Sequence, residues 1–130
     1  MSSRVKTFEE LHIFQQARRM TQDIWKVTRY GQFSTDRVLT SQIRRACLSV
    51  VSNIAEGFER GSRAEFGRFL KIAKGSCGEV RAQMLVASDL NYITKRQYDE
   101  FCFTTRQISA GLSNLTRYLS GQKDAKGHKG

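Results

Sequence analysis

Side chains that could move protons, hold metals or attack carbonyls are scarce in this sequence. It has two histidines. His12 follows Glu9 by three residues, the spacing with which helical bundles hold a di-iron centre. Such centres need a second Glu-x-x-His pair and further inward carboxylates, and the second pair is missing. His128 lies near the end of the chain. Cys47, Cys77 and Cys102 are too widely spaced for a zinc pattern, and none has a histidine close in sequence to act as its base. Residues 74–79, KGSCGE, lack the terminal lysine and hydroxyl residue of a phosphate-binding loop. Glu56 and Glu79 offer two carboxylates to a metal or to arginines, and the second use is the more ordinary. The expectation is no catalytic residue, no metal, no cofactor and no enzyme.

Groups that grip anions are plentiful. Lysine and arginine number 22 against 12 acids, a formal charge of +10. An excess of this size points to a polyanionic partner, with an acidic protein surface, a membrane or simple solubility as the competing readings. Arg18, Arg19, Lys26 and Arg29 lie opposite the apolar stripe of the first helix, with Gln15 and Gln22 between them. Arg37 and Arg44 add charge on the back of the second helix, and Lys123, Lys126 and Lys129 form a basic arm. Arginine and lysine neutralise phosphates, while glutamine can reach sugars or base edges. An ordinary solvated face remains the alternative. No helix-turn-helix, zinc finger or RNA-binding aromatic motif is present, so the expected ligand is nucleic acid, RNA or DNA, recognised by charge and shape. Phe66, Phe69 and Phe101 sit at core spacing; Trp25 and Tyr30 are the two aromatics that could stack on bases, although packing suits them as well.

The elements that carry these groups are helical. The chain contains no proline and no sustained strand-type alternation. The motif TFEE at Thr7 predicts a capping box opening helix one, which runs to about Tyr30 and stops at Gly31. Its stripe is Ile13, Ala17, Met20, Ile24 and Val27. Helix two starts after Ser34 and ends near Phe58. A second box, SRAE at Ser62, opens helix three, and a third, TKRQ at Thr94, opens helix four, which Gly121 ends. Gly75 and Gly78 inside helix three each cost about 1 kcal/mol relative to alanine, and close approach of another backbone is the expected reason. Residues 1–120 form one all-α domain, an antiparallel up-down four-helix bundle, and residues 121–130 a basic, disordered tail. The three cysteines are expected to be reduced and packed. No apolar run approaches the roughly 18 residues of a membrane span, and MSSRVKTFEELH lacks the apolar centre of a signal peptide. A cytoplasmic protein without a membrane partner is expected.

Helix two has two faces. At about 100° per residue, Leu39, Ile43, Ala46, Cys47, Val50, Val51, Ile54 and Phe58 make an apolar arc. Beside it runs a second arc of Gln42, Arg45, Ser49, Ser52, Asn53 and Glu56. Small residues there admit a close neighbour, and polar groups fix register where they pair. This arc is predicted to be an interface, to helix three or to a neighbouring subunit, with an ordinary polar surface as the alternative.

The stretch SQIRRACLSVVSNIAEGFERGSRAEFGRFLKIAKGSCGEV closely resembles the central signature of the bacterial four-helix-bundle proteins named after 23S rRNA intervening sequences. FEELHIFQQARRM resembles that family's usual start, and the likeness runs from about Thr7 to Leu119. Phe14 stands where tryptophan is common and Cys77 where an aliphatic residue is expected. The family is similar in fold to the accessory variability protein of diversity-generating retroelements, a basic, barrel-like homopentamer that binds nucleic acid and a reverse transcriptase. The resemblance therefore implies a homopentamer without enzymatic activity. The function expected is a basic oligomeric scaffold for nucleic acid; the alternative is an accessory module that docks a protein, for example a reverse transcriptase.

Overall fold

The computed structural model describes the backbone of residues 5–129 and the side chains of residues 5–121. The tail lysines Lys123, Lys126 and Lys129 lie outside the described side chains. Five α-helices account for the fold: α1 (His12–Val27), a short α2 (Gly31–Thr35), α3 (Arg37–Glu59), α4 (Arg63–Asp89) and α5 (Lys95–Lys129). Among the described residues there is no strand. The four long helices are the four expected from the sequence, and the loops joining them are short.

Side-chain pairs give the direction of each neighbour. Thr21 meets Cys47 while Thr28 meets Arg44, so α1 and α3 run antiparallel. Ser49 meets Ser76, and the backbone at Gly57 faces Phe66 and Phe69, so α4 reverses again. Helices α4 and α5 pack along their lengths, and α1 closes the ring against α5, where Gly111 faces Ile13. Going round the bundle the order is α1, α3, α4, α5. Ile24, Ile43, Ile54, Leu70, Met84, Ile108 and Leu112 fill the centre and are fully enclosed. Cys47 and Cys77 are buried with them, whereas Cys102 is half-buried.

The ends of the helices separate good capping signals from poor ones. At Thr94 the box closes both ways: the Gln97 N–H donates to Thr94 Oγ1 at 3.0 Å and the Thr94 N–H donates to Gln97 Oε1 at 2.8 Å. Ser62 Oγ accepts from the Glu65 N–H at 3.1 Å. Thr7 does not cap α1. Residues Phe8–Glu10 form one 3-10 turn, extended backbone at Leu11 interrupts it, and α1 begins at His12. The Glu10 carboxylate instead accepts the Lys6 N–H. At the other end α1 stops at Val27, where the Thr28 hydroxyl donates to the Ile24 carbonyl at 2.7 Å. Gly31 follows with φ of +64°, a left-handed conformation that glycine adopts without strain, and it turns the chain into α2. Asp36 caps α3 through Oδ1, 3.0 Å from the Leu39 N–H, and its Oδ2 accepts from the Tyr92 hydroxyl at 2.9 Å. Helix α5 passes through Gly121, where a stop was expected, and its backbone is helical to Lys129.

The glycines that permit close approach are also not those expected. A Cβ at Gly75 or Gly78 would meet nothing within 4 Å, whereas one at Gly57 would lie 2.7 Å from Phe69 Cβ and one at Gly111 would lie 2.7 Å from Ile13 Cγ2. Within the chain, then, Gly75 and Gly78 have no backbone beside them. They lie on an outward face of α4 that also carries Ile72 and Val86, 43% and 45% exposed.

Candidate nucleic-acid interface

Three arginines of α3 line one groove beside α1, and Lys26 of α1 lines a separate cavity. Helix α3 carries Arg37, Arg44 and Arg45 without an acidic residue until Glu56. Because α1 lies against α3, the arginines on that edge share a groove of ≈ 640 Å³ with Trp25, Ser41 and Leu48. Arg44 is fixed at its centre. Its Nε donates to Thr28 Oγ1 at 2.9 Å, and its guanidinium carbon lies 4.7 Å from the centroid of the Trp25 ring. The Thr28 hydroxyl is buried and accepts this bond while donating to its own helix. Arg44 is therefore held at one edge and over one face, which leaves its terminal nitrogens to an incoming acceptor. Arg37 and Arg45 are exposed.

Ion pairing is distributed unevenly. The pairs among the described residues are Arg60 with Glu56 and Glu65, Arg68 with Glu65, Lys95 with Asp99, and Arg96 with Glu100. None involves α1 or the first half of α3. The one carboxylate at the start of α3, Asp36, is engaged by the Leu39 N–H and the Tyr92 hydroxyl. The groove thus presents three guanidinium groups without internal neutralisation. Arginine suits that role through its planar fork of donors, which matches phosphate oxygens.

The cations expected on α1 divide between two sides. Counting about 100° per residue, Arg18 falls on the Trp25 side of α1, Arg29 lies just past the end of the helix, and neither lines the groove itself. Arg19 and Lys26 turn the other way, toward α5. Lys26 lines a separate cavity of ≈ 670 Å³ with Asp23, Tyr30, Glu100 and Phe101. Its acids make that cavity a poor phosphate site. Arg37 and Arg44 are brought together, and Arg45, which the sequence assigned to the polar arc of α3, joins them. Trp25 both packs and supports Arg44. The adjacent pair Arg44–Arg45 was the available signal for this cluster, while the part played by Thr28 and Ser41 had none.

The polar arc of α3 also divides. Ser49 and Asn53 face α4: Ser76 Oγ donates to Ser49 Oγ at 2.8 Å, and Asn53 Nδ2 donates to the Ser49 carbonyl and hydroxyl at 2.8 and 3.0 Å. This part of the predicted interface is to the next helix of the same chain. Gln42, Arg45, Ser52 and Glu56 are exposed, and Glu56 pairs with Arg60 at 2.9 Å.

Burial pushes the Cys47 and Cys77 thiols up to about 11, against hydrogen bonding with Thr21 and Ser109 respectively, which acts the other way. Thiols held so high are poor nucleophiles at neutral pH. Among the described residues no three His, Cys, Asp or Glu side chains cluster to hold a metal ion, and no helix is long and apolar enough to cross a membrane.

The profile of the family described as 23S rRNA-intervening sequence protein matches residues 9–114. A crystal structure of a protein of unknown function from the S23 ribosomal protein family of Bacteroides thetaiotaomicron superposes with a TM-score of 0.74. It is 24% identical, and the match covers 81% of this chain and 98% of that one. That likeness is one of fold. No curated protein gives a match.

Proposed function

This chain belongs to the 23S rRNA-intervening sequence protein family, and from that premise we propose that it is a non-enzymatic scaffold that binds nucleic acid along the α1/α3 groove. The observation that carries the reading is the cluster of Arg37, Arg44 and Arg45, with Arg44 held on Trp25 and Thr28 and no carboxylate spent on neutralising it. Phosphate groups would sit on the guanidinium forks, and each neutralised phosphate releases counterions from the nucleic acid. Nothing in the groove offers a row of side chains to base edges, so recognition is of charge and shape. Arg18 on α1 and Arg29 just beyond its end would extend the contact.

Assembly is the second part of the proposal. The outward face of α4 with Ile72, Gly75, Gly78 and Val86 suits contact with another copy, and family resemblance favours five copies. The same face is what favours the alternative reading, a module that docks a partner protein such as a reverse transcriptase.

The test is fluorescence anisotropy with nuclease-treated protein and labelled single-stranded DNA, duplex DNA and an RNA hairpin across a salt series. Replacing Arg37, Arg44 and Arg45 by glutamine removes three phosphate contacts and should lower the log–log salt slope on duplex DNA by about 2–3. An unchanged slope and affinity would remove the groove from the proposal.

A further inference from the structure

A second basic cavity lies on the far side of the bundle, at the seam where the start of α4 meets α5. It encloses ≈ 340 Å³, and Arg63, Arg68, Lys71, Thr116 and Ser120 line it with no acidic residue among its described lining residues. Arg68 is held by Glu65 at 3.1 Å and lies 4.8 Å from the centroid of the Phe69 ring. Arg63 and Lys71 take part in none of the ion pairs among the described residues. The first free N–H groups of α4 add their partial positive charge at this end, and the Ser120 hydroxyl supplies a further donor, that of Thr116 being spent on the Leu112 carbonyl at 2.7 Å. Cations, hydroxyls and an absence of carboxylates repeat the chemistry of the α1/α3 groove on different helices.

The order of helices round the bundle fixes how the two grooves relate. Helices α1 and α3 form one edge pair and α4 and α5 the other, so the grooves open on opposite faces. Two helix layers separate them, about 20 Å at roughly 10 Å per helix. That distance exceeds the Debye length of about 8 Å at physiological ionic strength, so two phosphate backbones held there repel each other little. A short duplex is stiff over about 150 base pairs and cannot wrap a body this narrow to reach both faces. We infer that each subunit holds two separate nucleic-acid segments, one in the α1/α3 groove and one in the α4/α5 cavity, and so bridges them. The inference rests on the proposed binding function and adds to it a second site and a bridging geometry.

Bridging is measured in the Ile72→Glu, Val86→Glu background, which removes the proposed assembly face so that each particle carries one copy of each site, by fixing a short biotinylated DNA duplex on beads, adding protein, and counting a fluorescent second duplex retained with it. This single-chain protein, its mass verified by light scattering, should retain the second duplex. Arg63→Gln with Lys71→Gln should leave the protein on the beads and cut retention of the second duplex at least about tenfold, a loss of about 1.4 kcal/mol in its binding. Arg44→Gln with Arg45→Gln should do the same, because the α4/α5 cavity still holds one duplex. Arg45 and Lys71 are exposed and Arg44 and Arg63 half-buried, and thermal unfolding of each variant verifies its fold. Undiminished retention by the Arg63/Lys71 variant would overturn the inference, since the α4/α5 cavity would then not be what holds the second duplex. Complete release of the Arg44/Arg45 variant from the beads would overturn it as well. Failure of the wild-type protein to bind any duplex would instead overturn the binding function itself.

Discussion

Replacing Gly57 with alanine adds one methyl group at the tightest contact between α3 and α4. The new Cβ would lie 2.7 Å from Phe69 Cβ, 3.1 Å from Phe66 Cδ1 and 3.4 Å from the Phe66 carbonyl oxygen. Carbon atoms prefer about 3.5–4.0 Å, so the shortest contact is about 1 Å too close. The Phe66 ring can rotate away, but Phe69 Cβ is attached directly to its backbone and moves only with α4. Relief therefore requires the two helices to part locally, beside a Phe69 that is 7% exposed. Overpacking of this kind costs about 1–3 kcal/mol, and the better helix propensity of alanine returns up to about 1 kcal/mol. The net expectation is a loss of about 1–2 kcal/mol, or a melting temperature lower by about 5 °C, read by circular dichroism and by urea unfolding. The matched control is Gly75→Ala, which meets nothing within 4 Å and should stabilise the dissociated subunit by about 1 kcal/mol. If Gly57→Ala melts at or above the wild-type temperature, the close α3–α4 contact is not limiting and the argument fails.

Two further outcomes are expected. Ile72→Glu with Val86→Glu, on the uncovered face of α4, should leave the urea midpoint of the subunit within about 0.5 kcal/mol of wild type. It should reduce the mass seen by light scattering to that of one chain, and an unchanged assembly would place the contact elsewhere. Stability should also fall above pH 9. The buried thiols of Cys47 and Cys77 stay protonated to about 11 in the folded state, from an ordinary value of 9.0. The unfolded chain sheds those protons first, so the stabilisation present below pH 9 is lost as pH rises from 9 to 11. Two pH units correspond to at most roughly 3 kcal/mol per thiol. Cys47→Ala with Cys77→Ala should flatten that stretch of the stability profile, and a variant as steep as wild type would assign the loss to other groups.

The architecture was legible in the sequence because three-four spacing of apolar residues reports a buried stripe wherever it occurs. Ala17, Met20 and Ile24 on α1 and Ile108 and Leu112 on α5 are enclosed as that spacing requires. Caps were legible where the signal is local and complete, as at Ser62 and Thr94. Thr7 carried the same letters, but extended backbone at Leu11 separates it from α1. Glycines were the harder case. Their helix cost can be read from the chain, but the neighbour that justifies it belongs to another helix, and so Gly57 and Gly111 could not be told from Gly75 and Gly78. For the same reason a wheel of α3 alone placed Arg45 with Ser49. Only the positions of α1 and α4 show that one faces the Trp25 groove and the other faces Ser76.

The cyclic order of the helices also bears on how the protein folds. Helices α3 and α4, and then α4 and α5, are joined by short turns and pack against their sequence neighbours, contacts that form early because little chain must be closed to make them. The seam between α1 and α5 joins Ile13 to Gly111, nearly the whole length of the domain apart, and closes it at the greatest loop entropy. Trp25, the one tryptophan in the chain, lies on α1 and becomes covered by Arg44 when α1 docks on α3. Its fluorescence is thus a natural clock for the docking of α1, and the groove assigned to nucleic acid exists only once that step is complete.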